Sequence, residues 1–444
     1  MTTTKIVSLI LKSEEESGVF NLKHKKKNLV WPFFRMYFYY GFLEQKSDIS
    51  TAGSSPKKIN LSRILDFLKL FKNSKLLSLL TPQKKDNLIL SSQRYVDGNE
   101  IYTKEIKKVN NGNFLELSFS NRFVFQKGPI YLDIFKIGLK LISRVSHYFF
   151  KTPNEVKHFF SLVDAEKSCE IQYRRYRIEY SCWYLIYDLL IKLQKPKKIF
   201  LIGGVFLSPL IAVAEKYNIE VIEIQHGVIN SFHLSYHFPN QTRNTFFPHK
   251  LLLLSSYWRK KASYPIGVEL LNVGNDYFFV NAKKKKHKKT ILIIGDGILY
   301  KQLINFLNLN LNFFIKNKFE ITYKLHPNEV PQWSKRYTKL RLLQETKKIR
   351  VVANELPIAS LIENSQIVFG VNSTSIYESV DAGSKTFVLD LQSSEYFDDL
   401  VDDNVVKKID PHKPLNLNDL NFIPKETKRF FDSSDLTKIE SICL

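Results

Sequence analysis

The chain has 444 residues, of which 44% are hydrophobic and 25% charged, a composition typical of folded globular proteins that excludes a disordered chain. This length favours two domains over one. The 66 Lys and Arg outnumber the 43 Asp and Glu and give a formal net charge of +23, which favours anionic partners such as phosphorylated substrates or an anionic membrane surface.

No nucleic-acid recognition motif accompanies this charge, so we predict no nucleic-acid partner. The apolar patch near the N-terminus is too short for a secretory signal, and no apolar run approaches the ~20 residues of a membrane-spanning helix. Cys169, Cys182 and Cys443 have neither metal-ligand spacing nor an even number. We therefore expect a cytoplasmic protein, held peripherally at the inner face of the membrane by its positive charge.

Residues 1–30 are predicted to form a loosely structured basic lead-in, followed by an aromatic-rich helix from Trp31 to about Tyr40. Arg35 in this helix is a candidate anion contact, the alternative being an exposed Arg on a core helix. Farther along, apolar periodicity predicts an amphipathic helix, two short strands and a long helical region. These elements are Leu61–Leu80, Asn87–Leu90, Phe114–Phe119 and about Tyr131–Leu193.

A strand–helix–strand unit follows Lys195-Pro196. Its parts are a strand at Ile199–Ile202, a Gly203-Gly204 turn, a helix at about Ser208–Tyr217 and a second strand at Val221–Ile224. This order and length are typical of a doubly wound parallel sheet.

The second strand leads directly into Gln225-His226-Gly227. Ligands of open α/β sheets bind at the carboxyl edge of the strands, so His226 is placed for chemistry, with packing as the alternative. The same loop brings His233 and Tyr236, which are groups that transfer protons or contact sugar hydroxyls.

A second strand–helix cycle begins at Thr290–Ile294 and continues with the turn Gly295-Asp296-Gly297. The next strand, Phe319–Leu325, ends in Lys324-Leu325-His326-Pro327. Pro327 stops the strand and favours an extended backbone at His326. His326 is therefore expected at a strand's carboxyl end.

The strongest local signal is the stretch from Gln366 to Asp390. A buried strand at Ile367–Phe369 is followed by a turn with the hydroxyls of Ser373 to Ser375, and then by a helix that carries Glu378 and stops at Gly383. Hydroxyls, backbone amides and the positive end of a helix dipole favour an anion at such a turn, usually phosphate. The alternative is a capped helix that binds nothing.

These patterns predict an α/β fold with two Rossmann-like, doubly wound domains facing a cleft. We place an acceptor-side domain at 1–280, a basic linker at 281–289 and a nucleotide-sugar-binding domain at 290–425. Residues 426–444 are expected to form a tail, with a helix that packs back.

The order of these motifs resembles the GT-B fold of nucleotide-sugar transferases. The acidic-Gly, His-Pro and Ser/Thr motifs are similar to those of bacterial sialyltransferases and polysialyltransferases. The Lys-x-His-Pro segment with a Ser-rich helix start is similar to the CDP-glycerol polyol-phosphate transferases. The Gln225-His226-Gly227 segment and the Trp31-Pro32 entry look like glycosyltransferases of bacterial capsule and lipopolysaccharide synthesis.

The resemblance implies roles for individual residues. His226 is the candidate general base, with Asp296 as the rival, although the acidic-Gly motif of the sialyltransferases lies in their first domain. Acceptor contacts are implied for Arg35, Gln225, His233 and Tyr236. Donor contacts are implied for Gly295, Gly297, Lys324, His326, Pro327, Asn372, Ser373, Thr374, Ser375 and Glu378.

We therefore predict a glycosyltransferase that moves a sugar from a nucleotide-sugar donor to a surface polysaccharide or a lipid-linked glycan. No Asp-x-Asp pair lies in a suitable loop, so neither a metal nor another cofactor is predicted. The alternatives are a polyol-phosphate transferase, a nucleotide-sugar epimerase on the same fold, and a non-catalytic protein that binds polyanions or membranes.

Overall fold

Short apolar runs form the strands of two separate parallel sheets. The computed structural model describes residues 1–24, 28–46, 74–92, 94–96, 99–119, 127–279, 289–327, 329–330, 333–426 and 429–444. The described residues divide into two units. The N-terminal unit comprises Lys5–Lys46, Ala52–Gly274 and Ser434–Leu444, and the C-terminal unit comprises Asn275–Ser433 together with Met1–Thr4.

The N-terminal unit is built on a seven-stranded parallel sheet of order β11-β10-β9-β8-β3-β6-β7. Numbered along the chain within the sheet, this order is 3-2-1-4-5-6-7. The order therefore reverses between β3 and β8, and ligands of doubly wound sheets bind at this switch point. The strands are β3 (Asn87–Leu90), β6 (Phe114–Ser118), β7 (Ile130–Tyr131), β8 (Lys198–Leu201), β9 (Glu220–Ile224), β10 (Lys250–Leu253) and β11 (Glu269–Asn272).

Two antiparallel pairs of very short strands lie outside this sheet. They are β1 (Lys23–His24) with β2 (Asn28–Leu29), and β4 (Tyr95–Val96) with β5 (Asn99–Glu100). The helices of the unit are α1 (Thr3–Ser17), α2 (Trp31–Lys46), α3 (Lys104–Val109), α4 (Asp133–Ser146), α5 (Asn154–Leu162), α6 (Lys167–Gln194), α7 (Ser208–Lys216) and α15 (Leu436–Cys443).

The first helix corrects one prediction. Residues 1–30 were expected to be loosely structured, but Thr3–Ser17 is helical. Ile6 and Ile10 lie four residues apart on one helical face and are fully buried. Burial of these side chains stabilises the helix. The charged residues of the segment make its apolar stripe difficult to recognise in the sequence.

The C-terminal unit contains a six-stranded parallel sheet of order β14-β13-β12-β15-β16-β17. Along the chain this order is again 3-2-1-4-5-6, with its switch point between β12 and β15. The strands are β12 (Thr290–Ile294), β13 (Glu320–Lys324), β14 (Arg350–Val352), β15 (Ile367–Gly370), β16 (Lys385–Leu389) and β17 (Lys407–Ile409).

Aromatic residues fill the core of this second sheet. The ring of Phe369 stacks on that of Phe387 at 5.1 Å and meets that of Phe306 at 5.2 Å. The helices are α8 (Tyr300–Lys316), α9 (Trp333–Arg336), α10 (Thr338–Glu345), α11 (Ile358–Glu363), α12 (Ser375–Asp381), α13 (Asp398–Asp402) and α14 (Leu417–Leu420). Within the described ranges, no helix has the length and apolar character needed to cross a membrane.

The α/β fold class with two parallel sheets is confirmed. The predicted strands at Ile199–Ile202, Val221–Ile224 and Thr290–Ile294 lie within one residue of β8, β9 and β12. Residues 61–73 of the helix predicted at Leu61–Leu80 lie outside the described residues, and Leu76–Leu80 forms a 3-10 helix. The linker predicted at 281–289 also lies outside them, except for Lys289.

The end of the chain belongs to the N-terminal unit. Ile439 and Ile442 of α15 are buried, and the backbone carbonyl of Ile442 accepts a hydrogen bond from Lys198 Nζ at 2.8 Å. Asn110 Nδ2 donates to Cys443 Sγ at 3.3 Å. These contacts fix α15 beside α3 and the start of β8.

Candidate functional site

The N-terminal unit gathers ionisable side chains at the carboxyl edge of its sheet. Gly203-Gly204 follows β8 at the switch point, and Gln225-His226-Gly227 follows the neighbouring β9. A Cβ at Gly204 would overlap the carboxylate of Glu223, so a larger residue here would displace that side chain. The turn and the last residues of β9 are therefore packed directly on each other.

A hydrogen-bonded chain joins three of these residues. The Tyr236 hydroxyl donates to Glu223 Oε1 at 2.8 Å and lies 3.2 Å from His226 Nδ1. Burial raises the pKa of Glu223 to about 7 and lowers the pKa of His226 to about 4, with the charge of Arg94 adding to the shift at His226. Opposite pKa shifts of an acid and a base that share a hydrogen-bond partner are typical of catalytic sites.

The proton positions follow from the donor inventory of the chain. A tyrosine hydroxyl carries one proton, and when it donates to an ionised Glu223 it can only accept from His226 Nδ1–H. His226 then keeps an unprotonated Nε2, which is the form that acts as a base. When Glu223 is protonated, it donates to Tyr236 and the chain can reverse, leaving the proton on Nε2.

His233 completes a group that we call the 223–236 cluster, made of Glu223, His226, His233 and Tyr236. The ring of His233 lies 5.0 Å from that of Tyr236 and 6.4 Å from that of His226. Burial lowers the pKa of His233 to about 3. Backbone hydrogen bonds from Gly203 and Gly204 to the Glu223 carboxylate, and between His233 and Val228, oppose these pKa shifts without cancelling them.

Two predicted acceptor residues have structural contacts instead. Gln225 is fully buried, donates to the Gly227 carbonyl at 2.7 Å and accepts from Leu254 N at 3.0 Å. This amide ties the end of β9 to the end of β10. Its contact with an acceptor stays a prediction.

Arg35 is 1% exposed and forms a bidentate pair with Glu14, at 2.6 and 2.7 Å. Its remaining nitrogen donates to the carbonyls of Leu234 and His237 at 2.6 and 2.8 Å. These contacts fix the backbone on both sides of Tyr236. We therefore interpret Arg35 as a positioning residue for the cluster rather than as an anion contact.

In the C-terminal unit, the loop after β12 packs against the loop after β13. Gly295 N donates to the Lys324 carbonyl at 2.8 Å. A Cβ at Gly295 would lie 2.7 Å from that carbonyl oxygen and would overlap the carboxylate of Glu329. Gly295 is thus required by the close approach of two loops at the sheet edge.

Asp296, the rival base, holds the turn that precedes α8. Its Oδ1 accepts hydrogen bonds from Ile298 N at 2.8 Å and Leu299 N at 2.7 Å. The N-cap of α8 itself is Leu299, which makes no side-chain capping hydrogen bond. A role in proton transfer for Asp296 stays a prediction.

A second buried acid lies under the His326-Pro327 loop. Glu329 is 1% exposed, and its carboxylate accepts from His326 N at 2.6 Å and from the Tyr323 hydroxyl at 3.3 Å. Burial raises the pKa of Glu329 to about 7. This acid fixes the backbone of His326 while the His326 side chain keeps part of its surface exposed.

Lys324 Nζ donates to the carbonyl of Ala353, the residue after β14, and burial lowers the pKa of Lys324.

The loop after β15 offers polar groups that a ligand can reach. Asn372, Ser373 and Thr374 are partly exposed, and Ser375 N donates to Ser373 Oγ at 3.2 Å. Because α12 is only two turns long, hydroxyl and amide groups of this loop, rather than a helix dipole, are the groups offered to an anion.

Glu378 in α12 is 2% exposed, so its contact with a ribose stays a prediction that requires access to a buried side chain. The three loops after β12, β13 and β15 nevertheless lie on adjacent strands, as predicted for Gly295–Gly297, Lys324–Pro327 and Asn372–Ser375. We call these the 295–375 loops.

Sequence reasoning missed Glu223 and Glu329. Glu223 had a signal, because it is a carboxylate inside the apolar strand sequence Val-Ile-Glu-Ile, where an unpaired charge would be costly. Glu329 follows His326-Pro327 closely, and only the fold places its side chain beneath the loop.

Among the described residues, no group of three or more His, Cys, Asp and Glu side chains is arranged to hold a metal ion. The predicted independence from metals stays a prediction.

Comparisons with known proteins complete the description. No family model matches the chain. An uncharacterized protein of Methanocaldococcus jannaschii is 30% identical over 198 residues, which are 43% of this chain and 35% of that protein. The match thus spans about a third of that relative's length.

Three solved structures illustrate the similar folds. UDP-GlcNAc 2-epimerase of Methanocaldococcus jannaschii, in complex with UDP-GlcNAc and UDP, is 12% identical with a TM-score of 0.46 over 80% of this chain and 98% of that chain. The glycosyltransferase of kitacinnamycin is 11% identical, with a TM-score of 0.45 over 81% and 92% of the two chains. MurG of Acinetobacter baumannii is 10% identical, with a TM-score of 0.41 over 73% and 86%.

Proposed function

We propose that this protein is a metal-independent glycosyltransferase that moves a sugar from a nucleotide-sugar donor to a glycan or lipid-linked acceptor. The observation that carries the proposal is the hydrogen-bonded chain Glu223–Tyr236–His226 at the carboxyl edge of a doubly wound sheet. Glycosyl transfer needs an activated acceptor hydroxyl, and this chain supplies an unprotonated imidazole nitrogen beside a carboxyl group that titrates near neutrality.

In the proposed reaction, His226 Nε2 accepts the proton of the acceptor hydroxyl. The acceptor oxygen forms a bond to the anomeric carbon, and the bond between that carbon and the phosphate oxygen breaks. The phosphate leaves with the bonding electron pair. Glu223 stabilises the resulting imidazolium through Tyr236, because it accepts a hydrogen bond more strongly when ionised.

The 295–375 loops are the proposed site of the nucleotide and its phosphates. Their position at a switch point and the partly exposed groups of Asn372, Ser373 and Thr374 support this role. His326 follows β13, which is separated from β15 by β12 alone, and its imidazole can carry positive charge as the phosphate leaves.

The buried acid also favours a second candidate, a nucleotide-sugar epimerase. An epimerase removes a proton from a sugar carbon and returns it, and Glu223, with a pKa of about 7, has the basicity for such a step. The two candidates differ in their need for an acceptor.

The test is to incubate the purified protein with CMP-, CDP-, UDP- and GDP-linked sugars in D₂O, with and without a mixture of oligosaccharide acceptors. A transferase releases nucleotide from one class of donor only when an acceptor is present, and the sugar gains no deuterium. Deuterium in the sugar without an acceptor would establish the epimerase instead. If no donor in the panel binds or reacts, the proposal is wrong.

A further inference from the structure

One helix of the N-terminal unit has its apolar residues on the outside. In α4 and the 3-10 turn that follows it, Leu139, Ser143 and His147 recur every four residues and are buried. The outer face is instead apolar, with side chains that are 40–83% exposed at Leu141, Ile142, Val145, Tyr148, Phe149 and Phe150. We call these six residues and the basic residues among them the 140–151 surface.

The buried face of α4 makes specific contacts, so the exposure of its apolar outer face is not a packing defect. Ser143 Oγ donates to Glu179 Oε1 of α6 at 2.9 Å, and His147 Nδ1 lies 2.9 Å from the Arg144 carbonyl. The helix is thus held on α6 by the Ser143–Glu179 hydrogen bond and by the ring contact of Phe135 with Trp183 at 6.5 Å, while the large apolar side chains of its other face are exposed. A contiguous exposed apolar patch of this kind usually marks an interaction site.

The charges of the same segment have one sign. Between residues 134 and 151 all charged side chains are basic: Lys136, Lys140, Arg144 and Lys151. Arg177 of α6 adds a further cation, with its guanidinium 5.9 Å from the Phe150 ring centroid. The acidic group that faces α4 from α6 is Glu179, which is mostly buried and hydrogen-bonded to Ser143.

We propose that the 140–151 surface binds the face of an anionic lipid bilayer. Exposed aliphatic and aromatic side chains flanked by Lys and Arg are the composition of helices that lie in a membrane interface. The rings of Tyr148, Phe149 and Phe150 are consecutive and exposed, and Phe is among the side chains that interfacial helices insert into the headgroup region. A second copy of this chain fits less well, because pairing the surface with itself would bring like charges together.

The experiment is sedimentation of the full chain with large vesicles of phosphatidylcholine alone or with one third phosphatidylglycerol, at low and high salt. The apolar variant is Val145→Ser with Phe149→Ser, which lowers vesicle partitioning by at least about tenfold because two inserted apolar side chains are lost. The basic variant is Lys140→Gln, Arg144→Gln and Lys151→Gln. It lowers partitioning onto phosphatidylglycerol on the order of 100-fold, at about fivefold for each cation.

Matched controls change equally exposed residues elsewhere. Leu77→Ser with Ile423→Ser removes two exposed apolar side chains, and Lys316→Gln, Lys318→Gln and Lys339→Gln removes three exposed cations. Both controls bind as the wild type does if the proposal holds. The proposal is overturned if the wild type does not bind the vesicles, or if the two 140–151 variants bind them as well as the controls do. It is also overturned if the apolar variant only converts a dimer into a monomer in light scattering.

Discussion

The two sheets share a strand order, yet the polar groups at their carboxyl edges differ. In the 223–236 cluster, Glu223 and Tyr236 are buried while His226 and His233 keep part of their surface exposed, and burial shifts the pKa values of all four far from the usual ranges. In the 295–375 loops, Asn372, Ser373, Thr374 and His326 keep part of their surface exposed. The buried acid of that unit, Glu329, lies beneath a loop and fixes its backbone.

This difference separates two tasks that one fold supports. Proton transfer near neutral pH needs groups whose pKa values have been moved by burial and by neighbours. Binding of phosphates needs accessible donors held in place by a rigid edge. In the proposed function, the N-terminal unit performs the acid–base chemistry and the C-terminal unit binds the nucleotide, and this division can be tested.

The largest expected effect is on turnover. His226→Gln removes the proposed base and lowers kcat by about 10²–10⁴-fold, the range typical of general base catalysis. The nucleotide Kd stays within about twofold of the wild-type value, as measured by calorimetry. His412→Gln, at an exposed histidine, is the matched control and leaves both quantities unchanged. A variant that loses nucleotide affinity in step with kcat would contradict the division.

The next largest expected effect is on the pH dependence of the free energy of unfolding. Glu223 has a folded pKa of about 7 against 4.5 for the ordinary group, so the folded state keeps a proton that the unfolded state loses. The free energy of unfolding therefore falls as pH rises from about 4.5 to about 7. Glu223→Gln removes this loss, and its advantage over the wild type grows by about 2.5 kcal/mol between pH 5 and pH 8.

Urea unfolding of both proteins at the two pH values measures this difference. The histidines with lowered pKa values have the opposite trend, with stability rising up to about pH 6.5, but they are present in both proteins and cancel. Glu16→Gln, an exposed position in the same unit, is the control. An advantage that does not change with pH would show that Glu223 is ionised throughout.

Alanine at either of two glycine positions crowds one site and leaves the other unchanged, so the two variants distinguish the sites. Gly295→Ala places a methyl group against the Lys324 carbonyl oxygen and Glu329, which costs about 1–3 kcal/mol and weakens nucleotide binding. Gly204→Ala meets only the Glu223 side chain and a leucine, so it lowers kcat with nucleotide affinity unchanged.

Gly41→Ala is the control, since beyond its chain neighbours and the backbone of its own helix no atom lies within 4 Å of the added methyl group. Thermal unfolding and calorimetry on the three variants give the comparison. The division of roles fails if Gly204→Ala impairs nucleotide binding more than Gly295→Ala does.

The smallest expected effect is on the nucleotide Kd, from the loss of a single hydroxyl group. Ser373→Ala removes one donor from the loop after β15 and raises the nucleotide Kd about fivefold, which corresponds to about 1 kcal/mol for one hydrogen bond. Ser433→Ala, at an exposed serine of the same unit, leaves the Kd unchanged. Equal Kd values for the two variants would remove Ser373 from the site.

The sequence was sufficient to predict many of the strands and the loops that follow them, but not β7, β11 or β17. Apolar runs ending in Gly-Gly, Gly-Asp-Gly or His-Pro have local causes, and the strand ends lie where these residues predict. The contacts that define the cluster are not local. Tyr236 reaches Glu223 over 13 positions, and Arg35 reaches Leu234 over 199.

Contacts between positions so far apart in the sequence depend on how the sheet brings segments together, and the periodicity of apolar residues does not predict them. The sequence leaves Arg35 as a candidate anion contact or an exposed Arg, because its partner Glu14 lies in a segment that is predicted to be loosely structured. Asp296 is the opposite case, because its partners Ile298 and Leu299 follow it within three positions along the chain.

Hydrogen–deuterium exchange with and without the nucleotide that binds tests the division most directly. Our account predicts slower exchange of backbone amides in the 295–375 loops, at residues 295–297, 325–326 and 371–375. It predicts unchanged exchange in peptides covering 203–204 and 225–228. Protection confined to the N-terminal unit would contradict the account, because the nucleotide would then occupy the site to which we assign proton transfer.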